Sequence, residues 1–208
     1  MKHPSTRAIY RYWNERRGTN IAPARADIDP ADIRHQLGDT FILAADFVDV
    51  LRFRLAGTRV CALFGRELKG ENFAELWDDS SQKILERLTA AVCEDQTGAV
   101  VGLSGRGADG AEADLEMLLL PLSHSGHARI RALGVLAPVV PPYWLGERPV
   151  VELSVRTLRH IGGGVTELEA PIFMPPQQPD PPRLGSRIRH GFVVYSGGRE
   201  TPSGDQTG

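Results

Sequence analysis

The two cysteines are the first residues to test for reactivity, because a thiolate is both a nucleophile and a metal ligand. Cys61 and Cys93 each lie in an apolar pattern typical of a helix. Nothing near either residue in the sequence obviously lowers a thiol pKa. We therefore interpret both as buried and unreactive, since such cysteines behave as small hydrophobic side chains.

Other polar residues that form active sites in some proteins lack the spacing that such sites need. Ser104, Asp109 and His124 have no nucleophile-elbow pattern, so a catalytic triad is not supported. The glycine run at 162–164 lacks the Lys-Ser/Thr pair and the strand-to-helix context of a phosphate loop. Scattered surface charge explains three acidic residues better than a metal site does: Glu112, Asp114 and Glu116. The sequence predicts no catalytic residue, no metal ligand and no enzymatic activity.

Four arginines form the polar group of most interest. They alternate with apolar residues along two predicted strands: Arg52, Arg54, Arg129 and Arg131. If neighbouring strands align these side chains, they could bind an acidic partner or a nucleotide phosphate. The alternative, which we favour, is charge that keeps one face of a sheet in contact with water.

The composition describes a globular chain without a global pull toward polyanions. Of its 208 residues, 41% are hydrophobic and 24% are charged, and the formal net charge is -2. This charge gives no reason to expect nucleic acid as a partner. No apolar run approaches the length of a membrane-spanning helix or of a signal peptide. Two cysteines are too few for a disulfide framework, so we expect a reduced, cytoplasmic protein.

The elements that must position these residues follow from the periodicity of the apolar side chains. A helix is predicted over 4–17, with Ile9, Tyr12 and Trp13 on one face. Leu51, Phe53 and Leu55 alternate with arginines and predict a half-buried strand with all three on one face. A longer helix is predicted over about 81–94. Five strands are predicted in all: 40–47, from 50 onward, 99–104, 114–122 and 128–137.

This order predicts an α+β fold with a five-stranded antiparallel sheet and helices on one face. We divide the chain into an N-terminal helical extension (1–38), the sheet domain (39–146) and a C-terminal extension (147–208). The last region contains a possible extra strand at 150–155 and is rich in Pro and Gly from 159 to 185. We expect that extension to be partly flexible.

Five pieces of the sequence resemble the PAS fold, and in particular the small bacterial PAS-like proteins of the PAS_5 type, known mainly from alphaproteobacteria. The pieces are YWNERRG (12–18), ARADIDPADI (24–33), FRLAGTRVCALFGRELKGENFAELW (53–77), LLLPLSH (118–124) and LGVLAPVVPPYWLG (133–146). The resemblance implies a bacterial sensory or regulatory domain that binds a small molecule or a protein partner. It implies no reaction.

In such a domain a pocket would lie between the sheet and the 51–77 stretch and hold an apolar or amphipathic ligand. The residues proposed to line it are Leu55, Val60, Phe64, Phe73, Trp77, Leu88, Val101, Leu118 and Leu133. The cofactor is unknown. Haem-binding PAS domains usually present a histidine from the longer helix. Haem is disfavoured here, because that helix contains no histidine. Photoreactive flavin is disfavoured too, because Cys61 lacks the Asn-Cys-Arg-Phe neighbours of light-sensing members.

The signal would pass by association, with the aromatic N-terminal helix as the surface for a protein partner or for a dimer. The candidate residues are Ile9, Tyr12, Trp13, Arg52, Arg54, Arg129 and Arg131. The alternative is a pure protein–protein interaction module with a filled core and no small-molecule ligand.

Overall fold

The computed structural model describes residues 1–45, 50–123 and 130–161, together with the backbone of 172–173, 186–189 and 192–195. Only the backbone is described at 130 and 131. The chain divides into two compact units, Met1–Met174 and Pro175–Gly208. The link at 48–49 between the first two predicted strands, His124, Arg129 and the glycine run at 162–164 lie outside the described residues.

The first helix, α1 (Pro4–Arg17), begins and ends where its sequence predicts. Pro4 occupies the first turn, where the missing N–H costs nothing, and the ring of His3 accepts a hydrogen bond from the amide of Ser5 at 3.2 Å. Gly18 ends the helix with a φ of 53°. This left-handed conformation favours glycine because it has no Cβ.

One antiparallel sheet of seven strands forms the centre of the first unit. Its strands are β1 (Thr40–Ala45), β2 (Leu51–Ala56), β3 (Gly98–Gly107), β4 (Glu112–Leu122), β5 (Ile130–Pro138), β6 (Val150–Ile161) and β7 (Ile172–Phe173). Their spatial order is β2-β1-β5-β4-β3-β6-β7. The predicted α+β class with a PAS-like antiparallel sheet is confirmed, with more strands than predicted.

Both faces of this sheet are covered. Met117 and Leu119 of β4 belong to a core cluster under α2 (Thr58–Phe64) and α3 (Gln82–Cys93). Leu118 and Leu120, the alternate residues, belong to a second cluster with Ile9 of α1. We call these the α3-side core and the α1-side core. The helices α2 and α3 lie together on one face, as predicted for the helices of the sheet domain, and the N-terminal extension adds α1 on the other face, where it covers the second apolar row of β4.

Strand β6 extends the sheet beyond the predicted boundary at 146. It pairs antiparallel with β3 along almost its whole length. Val150, Leu153 and Val155 are buried in the α3-side core. The 39–146 division therefore separates a strand from the sheet on which it packs.

A β-bulge changes the face to which Leu55 points. The register pairs Ile42 with Leu55 but Leu43 with Phe53, so β2 carries one extra residue at Arg54. Because side chains alternate in a strand, this insertion turns Leu55 away from the face that holds Phe53. The predicted one-face alternation of Leu51, Phe53 and Leu55 is therefore wrong for Leu55.

The second unit contains two short antiparallel strands, β8 (Ser186–Arg189) and β9 (Phe192–Tyr195). Among the residues that the structure describes, no helix has the length and apolar character needed to cross a lipid bilayer.

Candidate ligand and partner sites

Six of the nine predicted pocket residues come together in the α3-side core. They are supplied by α2, by the short 3-10 turn Phe73–Leu76 and its end, by α3 and by β3: Val60, Phe64, Phe73, Trp77, Leu88 and Val101. The three helical segments bring their apolar residues down onto one side of the sheet. The structure thus assembles the larger part of the predicted set on one face.

Aromatic rings fill the centre of this face. Phe53 and Phe73 lie 5.7 Å apart between ring centroids, and Phe73 and Trp77 lie 5.5 Å apart, both in edge-to-face geometry. Phe41 packs against Phe53 with centroids 5.6 Å apart. A Cβ at Gly134 would lie only 2.1 Å from the ring of Phe41, so glycine at this position is what admits the ring.

Several of the assembled residues have no accessible surface. Val60, Leu88 and Val101 are each 0% exposed, so none of them borders a space that admits a water molecule. The indole Nε1 of Trp77 is buried and has no hydrogen-bond acceptor among the residues that the structure describes. The side chains of this region therefore pack directly against one another.

The other three predicted pocket residues lie on the opposite side of the sheet or at its surface. Leu118 and Leu133 are buried in the α1-side core. Leu55 is 43% exposed, as a consequence of the bulge. The nine residues therefore do not surround a single space.

The aromatic face of α1 packs inside its own chain. Ile9 is 0% exposed and Trp13 is 2% exposed. The Trp13 indole also donates a hydrogen bond to the carbonyl oxygen of Pro121 at 2.8 Å. Tyr12 is half-buried, and its hydroxyl accepts a hydrogen bond from the amide of Asp29 at 2.8 Å. A partner would reach Ile9 and Trp13 only after α1 leaves the sheet.

The arginine candidates are placed only in part. Arg52 and Arg54 are both exposed, and Arg52 donates to the carbonyl oxygen of Gly70 at 3.0 Å. The strand register sets Arg52 and Arg131 on either side of Ala44, in one row across three strands. The side chain of Arg131, and Arg129 as a whole, lie outside the described residues.

A buried carboxylate that sequence reasoning missed connects α1 to α2. Asp39 accepts a hydrogen bond from Ser5 Oγ of α1 at 2.6 Å. Arg59 of α2 binds the same carboxylate through Nε at 2.5 Å and Nη2 at 3.0 Å. Burial raises the pKa of Asp39, but the hydrogen bonds from Arg59 and Ser5 outweigh it and hold the pKa below its ordinary value.

A second buried carboxylate holds the start of α1. Glu116 on β4 is 5% exposed and accepts hydrogen bonds from the amides of Lys2 at 2.6 Å and His3 at 2.9 Å. Thr6 Oγ1 lies 2.5 Å from the same carboxylate. Burial raises the pKa of Glu116, yet these donors lower it by more, so the pKa lies below its ordinary value. The expectation that Glu116 belongs to scattered surface charge is wrong.

Neighbouring residues in the sequence carried a signal for Glu116. It lies in a strand whose residues are apolar in both alternating rows, so an acidic side chain there must find donors inside the protein. Asp39 carried no comparable signal, because its donors lie far from it in the sequence. We name the Ser5–Asp39–Arg59 contacts the Asp39 cluster.

The two cysteines are half-buried, and of the triad residues considered above only Ser104 and Asp109 lie within the described part of the chain. Burial raises the pKa of the Cys61 thiol, and burial raises that of Cys93 to about 12, so both thiols are protonated at neutral pH. Ser104 Oγ donates to Glu112 at 3.0 Å, and Asp109 forms an ion pair with Arg148. Within the described segments, no three His, Cys, Asp or Glu side chains converge on a metal-sized space.

A cavity of about 300 Å³ lies outside the α3-side core, between β1–β2 and the segment 25–38. It borders the α1-side core through Ile28, Ile33, Ile42 and Leu133. Leu55, which the bulge turns to this side, forms part of its wall.

An antiparallel sheet with α2, the 3-10 turn and α3 packed on one face is the architecture of a PAS domain. The sequence profile of the PAS_5 family, described as a PAS domain, matches residues 1–137. The chain therefore belongs to this PAS domain family.

Solved structures with similarity to this chain include PAS and light-oxygen-voltage (LOV) domains. The PAS domain of a protein from Colwellia psychrerythraea is 15% identical, with 53% of this chain and 97% of that chain covered and a TM-score of 0.39. The Rhodobacter sphaeroides LOV protein is 15% identical, covering 48% of this chain and 57% of that one, with a TM-score of 0.39. A LOV domain studied with a flavin analogue is 16% identical, with 54% of this chain and 85% of that chain covered and a TM-score of 0.43.

At these identities and TM-scores, no ligand is transferred from those proteins to this chain. The comparisons do not support the expectation that photoreactive flavin is disfavoured, and it stays a prediction, as does the one for haem. A search of curated proteins gives no match.

Proposed function

We propose that this protein is a non-catalytic sensory or regulatory PAS domain that transmits its signal by association, through the docking of α1. A bacterial, alphaproteobacterial origin and a cytoplasmic location are part of the proposal and rest on the sequence resemblance and composition. The net charge of -2 supports a protein or small-molecule partner over nucleic acid.

The observation that carries the proposal is the Asp39 cluster. One carboxylate holds Ser5 of α1 and Arg59 of α2, so a shift of α2 changes the contacts that keep α1 on the sheet. Two elements that bind one buried anion are energetically coupled, because loss of the donor from one element changes the strength of the hydrogen bond that the anion accepts from the other. A perturbation near α2 can thereby alter which position of α1 is populated.

Detachment of α1 would uncover apolar surface suited to a partner. Ile9 and Trp13 leave the α1-side core when the helix lifts, and an exposed aromatic of this kind is a typical anchor in protein interfaces. The surface would be available to a second copy of the chain or to another protein. The exposed Arg52 and Arg54 would favour a partner with acidic groups.

Two versions of this function differ in whether the α3-side core holds a ligand. In the first version, the six predicted residues that lie in the α3-side core line a pocket for an apolar or amphipathic molecule. The direct packing of Phe41, Phe53, Phe73 and Trp77 favours the second, a filled core that serves only to position the surfaces. Native mass spectrometry of freshly purified protein distinguishes them. A retained small molecule supports the first version, and an unliganded mass with a co-purifying protein supports the second.

The role of α1 is tested by loosening it without shortening the chain. We expect the double variant Ser5→Ala/Glu116→Gln to change the distribution of oligomers, or the amount of bound partner, in sedimentation velocity. The control Ser80→Ala/Glu86→Gln alters the same residue types at exposed positions and should leave the distribution unchanged. If α1 exchanges its amide protons faster in the variant but the distribution is unchanged, signalling by α1 is contradicted.

A further inference from the structure

We propose that the cavity between β1–β2 and the segment 25–38 is a binding site for a medium-chain monocarboxylate, distinct from the α3-side core. This inference rests on the proposed function, because a bound ligand would change the packing of α1. We name it the β2 cavity. Its apolar lining residues are Ile28, Ile33, Leu37, Ile42, Leu55 and Leu133.

Two features of the backbone shape this cavity. The bulge in β2 turns Leu55 toward Ile42 and Leu133 and leaves it 43% exposed at the rim. Gly57 lies close to the 3-10 turn Leu37–Asp39, so that a Cβ at Gly57 would be 2.0 Å from the carbonyl oxygen of Leu37. This close approach brings Leu37 and β2 together as opposite walls.

The charge at the cavity favours an anionic head group. Arg25 lies in the lining, is half-buried, and spends one donor on the carbonyl oxygen of Ile28 at 3.2 Å. No acidic side chain of the described residues forms an ion pair with it. A guanidinium has five N–H donors in a fork that matches a carboxylate, so donors remain for a ligand.

The volume limits the ligand to a small molecule. About 300 Å³ lies at the lower end of the range for small-molecule pockets, which is about 300–1,000 Å³. Octanoate is a small ligand that combines one carboxylate with an unbranched apolar chain, and it serves as the probe. Its tail would lie against Ile28, Ile33 and Ile42, and its carboxylate would meet Arg25.

The same residues link the cavity to α1. Ile28, Ile33, Ile42 and Leu133 belong to the cluster that buries Ile9 and Trp13. An occupant that alters the packing of these side chains therefore alters the surface on which α1 lies.

The test uses the full chain labelled at isoleucine δ1 methyl groups and titrated with octanoate. We expect saturable shifts of the Ile28, Ile33 and Ile42 signals and no shift of Ile84, which packs against the α3-side core. Arg25→Gln should weaken octanoate binding about tenfold and leave octanol binding unchanged, and Arg25→Lys should restore part of the loss. Leu55→Gln should also weaken binding.

Matched controls separate the site from general surface effects. Arg11→Gln changes an exposed arginine on α1, and Val151→Gln changes an exposed strand residue that is 51% accessible, so neither should affect the titration. Shifts of Ile84 without Ile28, or shifts unchanged by Arg25→Gln, would overturn the proposal. So would isoleucine shifts that follow protein concentration alone, since a second copy would then fill the cavity. These readouts are separate from the association test, so a failure of octanoate binding is distinguishable from a failure of signalling by α1.

Discussion

At the scale of single residues, two buried carboxylates define how the N-terminal segment is attached. Glu116 and Asp39 are each 5% exposed and each accept hydrogen bonds from residues at the start of α1. A buried carboxylate without donors is costly, so the donors and the acceptor stabilise the fold only together. These contacts are polar and specific, whereas Ile9 and Trp13 supply the apolar part of the attachment.

Replacing Glu116 by glutamine should lower the free energy of unfolding by about 2 kcal/mol, because charged hydrogen bonds are lost and an amide group faces the amides of Lys2 and His3. Urea denaturation at neutral pH measures the change. Glu86→Gln, at an exposed position of α3, should stay within about 0.5 kcal/mol of wild type. An unchanged stability of the Glu116 variant would contradict its role as an anchor.

The same carboxylates predict a pH dependence with a definite sign. Both pKa values are lowered in the folded protein, so their stabilisation is present above the ordinary values of about 4 and is lost as pH falls through the folded values. Wild type should lose stability on acidification over this range, and Glu116→Gln should lose less. Urea denaturation at a series of pH values checks this, and parallel pH profiles for both proteins would contradict it.

At the scale of elements, α1 is bound to the sheet by a buried apolar face. Ile9→Ala should cost about 2–4 kcal/mol, since it leaves a cavity in a closely packed cluster. Ile21 is 60% exposed, so Ile21→Ala should change stability by less than about 0.5 kcal/mol. Thermal and urea unfolding compare the two variants. Equal effects would mean that α1 does not pack as described.

The close approach at the start of α2 gives another prediction. Gly57→Ala places a Cβ 2.0 Å from the Leu37 carbonyl oxygen, and both groups belong to backbone. We expect a loss of about 3 kcal/mol or more, because neither segment can move aside like a flexible side chain. The control is Ala62→Gly in α2, which changes helix propensity without a steric clash and should cost about 1 kcal/mol. Gly70→Ala would not serve, because the φ of 89° at Gly70 strains any residue with a Cβ. A stable Gly57→Ala protein would contradict the tight contact.

Local signals in the sequence predicted most of the elements, and non-local contacts account for what was missed. Pro4 and Gly18 mark α1 correctly because helix ends depend on neighbouring residues. Nothing in the sequence indicates the bulge at Arg54, since an arginine fits the polar row of a regular strand as well as it fits a bulge. The Asp39 cluster joins residues from three separate segments, and only the folded chain brings them together.

At the scale of the whole molecule, the sheet of the first unit includes β6. The sequence predicted this strand only as part of an extension, yet Leu153 is 0% exposed and the backbone amide of Val155 donates a hydrogen bond to Ser81 Oγ, just before α3, at 3.0 Å. A chain shortened after 146 should therefore fail to fold cooperatively, and one shortened after 161 should unfold cooperatively with urea. Circular dichroism and urea titration distinguish the two. A cooperative transition in the shorter chain would restore the boundary at 146.

Hydrogen–deuterium exchange measures whether α2 and α1 are coupled through the Asp39 cluster. Arg59→Gln removes the bidentate contact from α2 and should speed amide exchange across α1, although no residue of α1 is altered. Arg66→Gln changes a second arginine, just after α2, whose ion pair with Glu71 lies at the surface, and should leave α1 unchanged. If α1 exchanges at the wild-type rate in Arg59→Gln, α2 and α1 are not coupled through Asp39, and signalling by this route is ruled out.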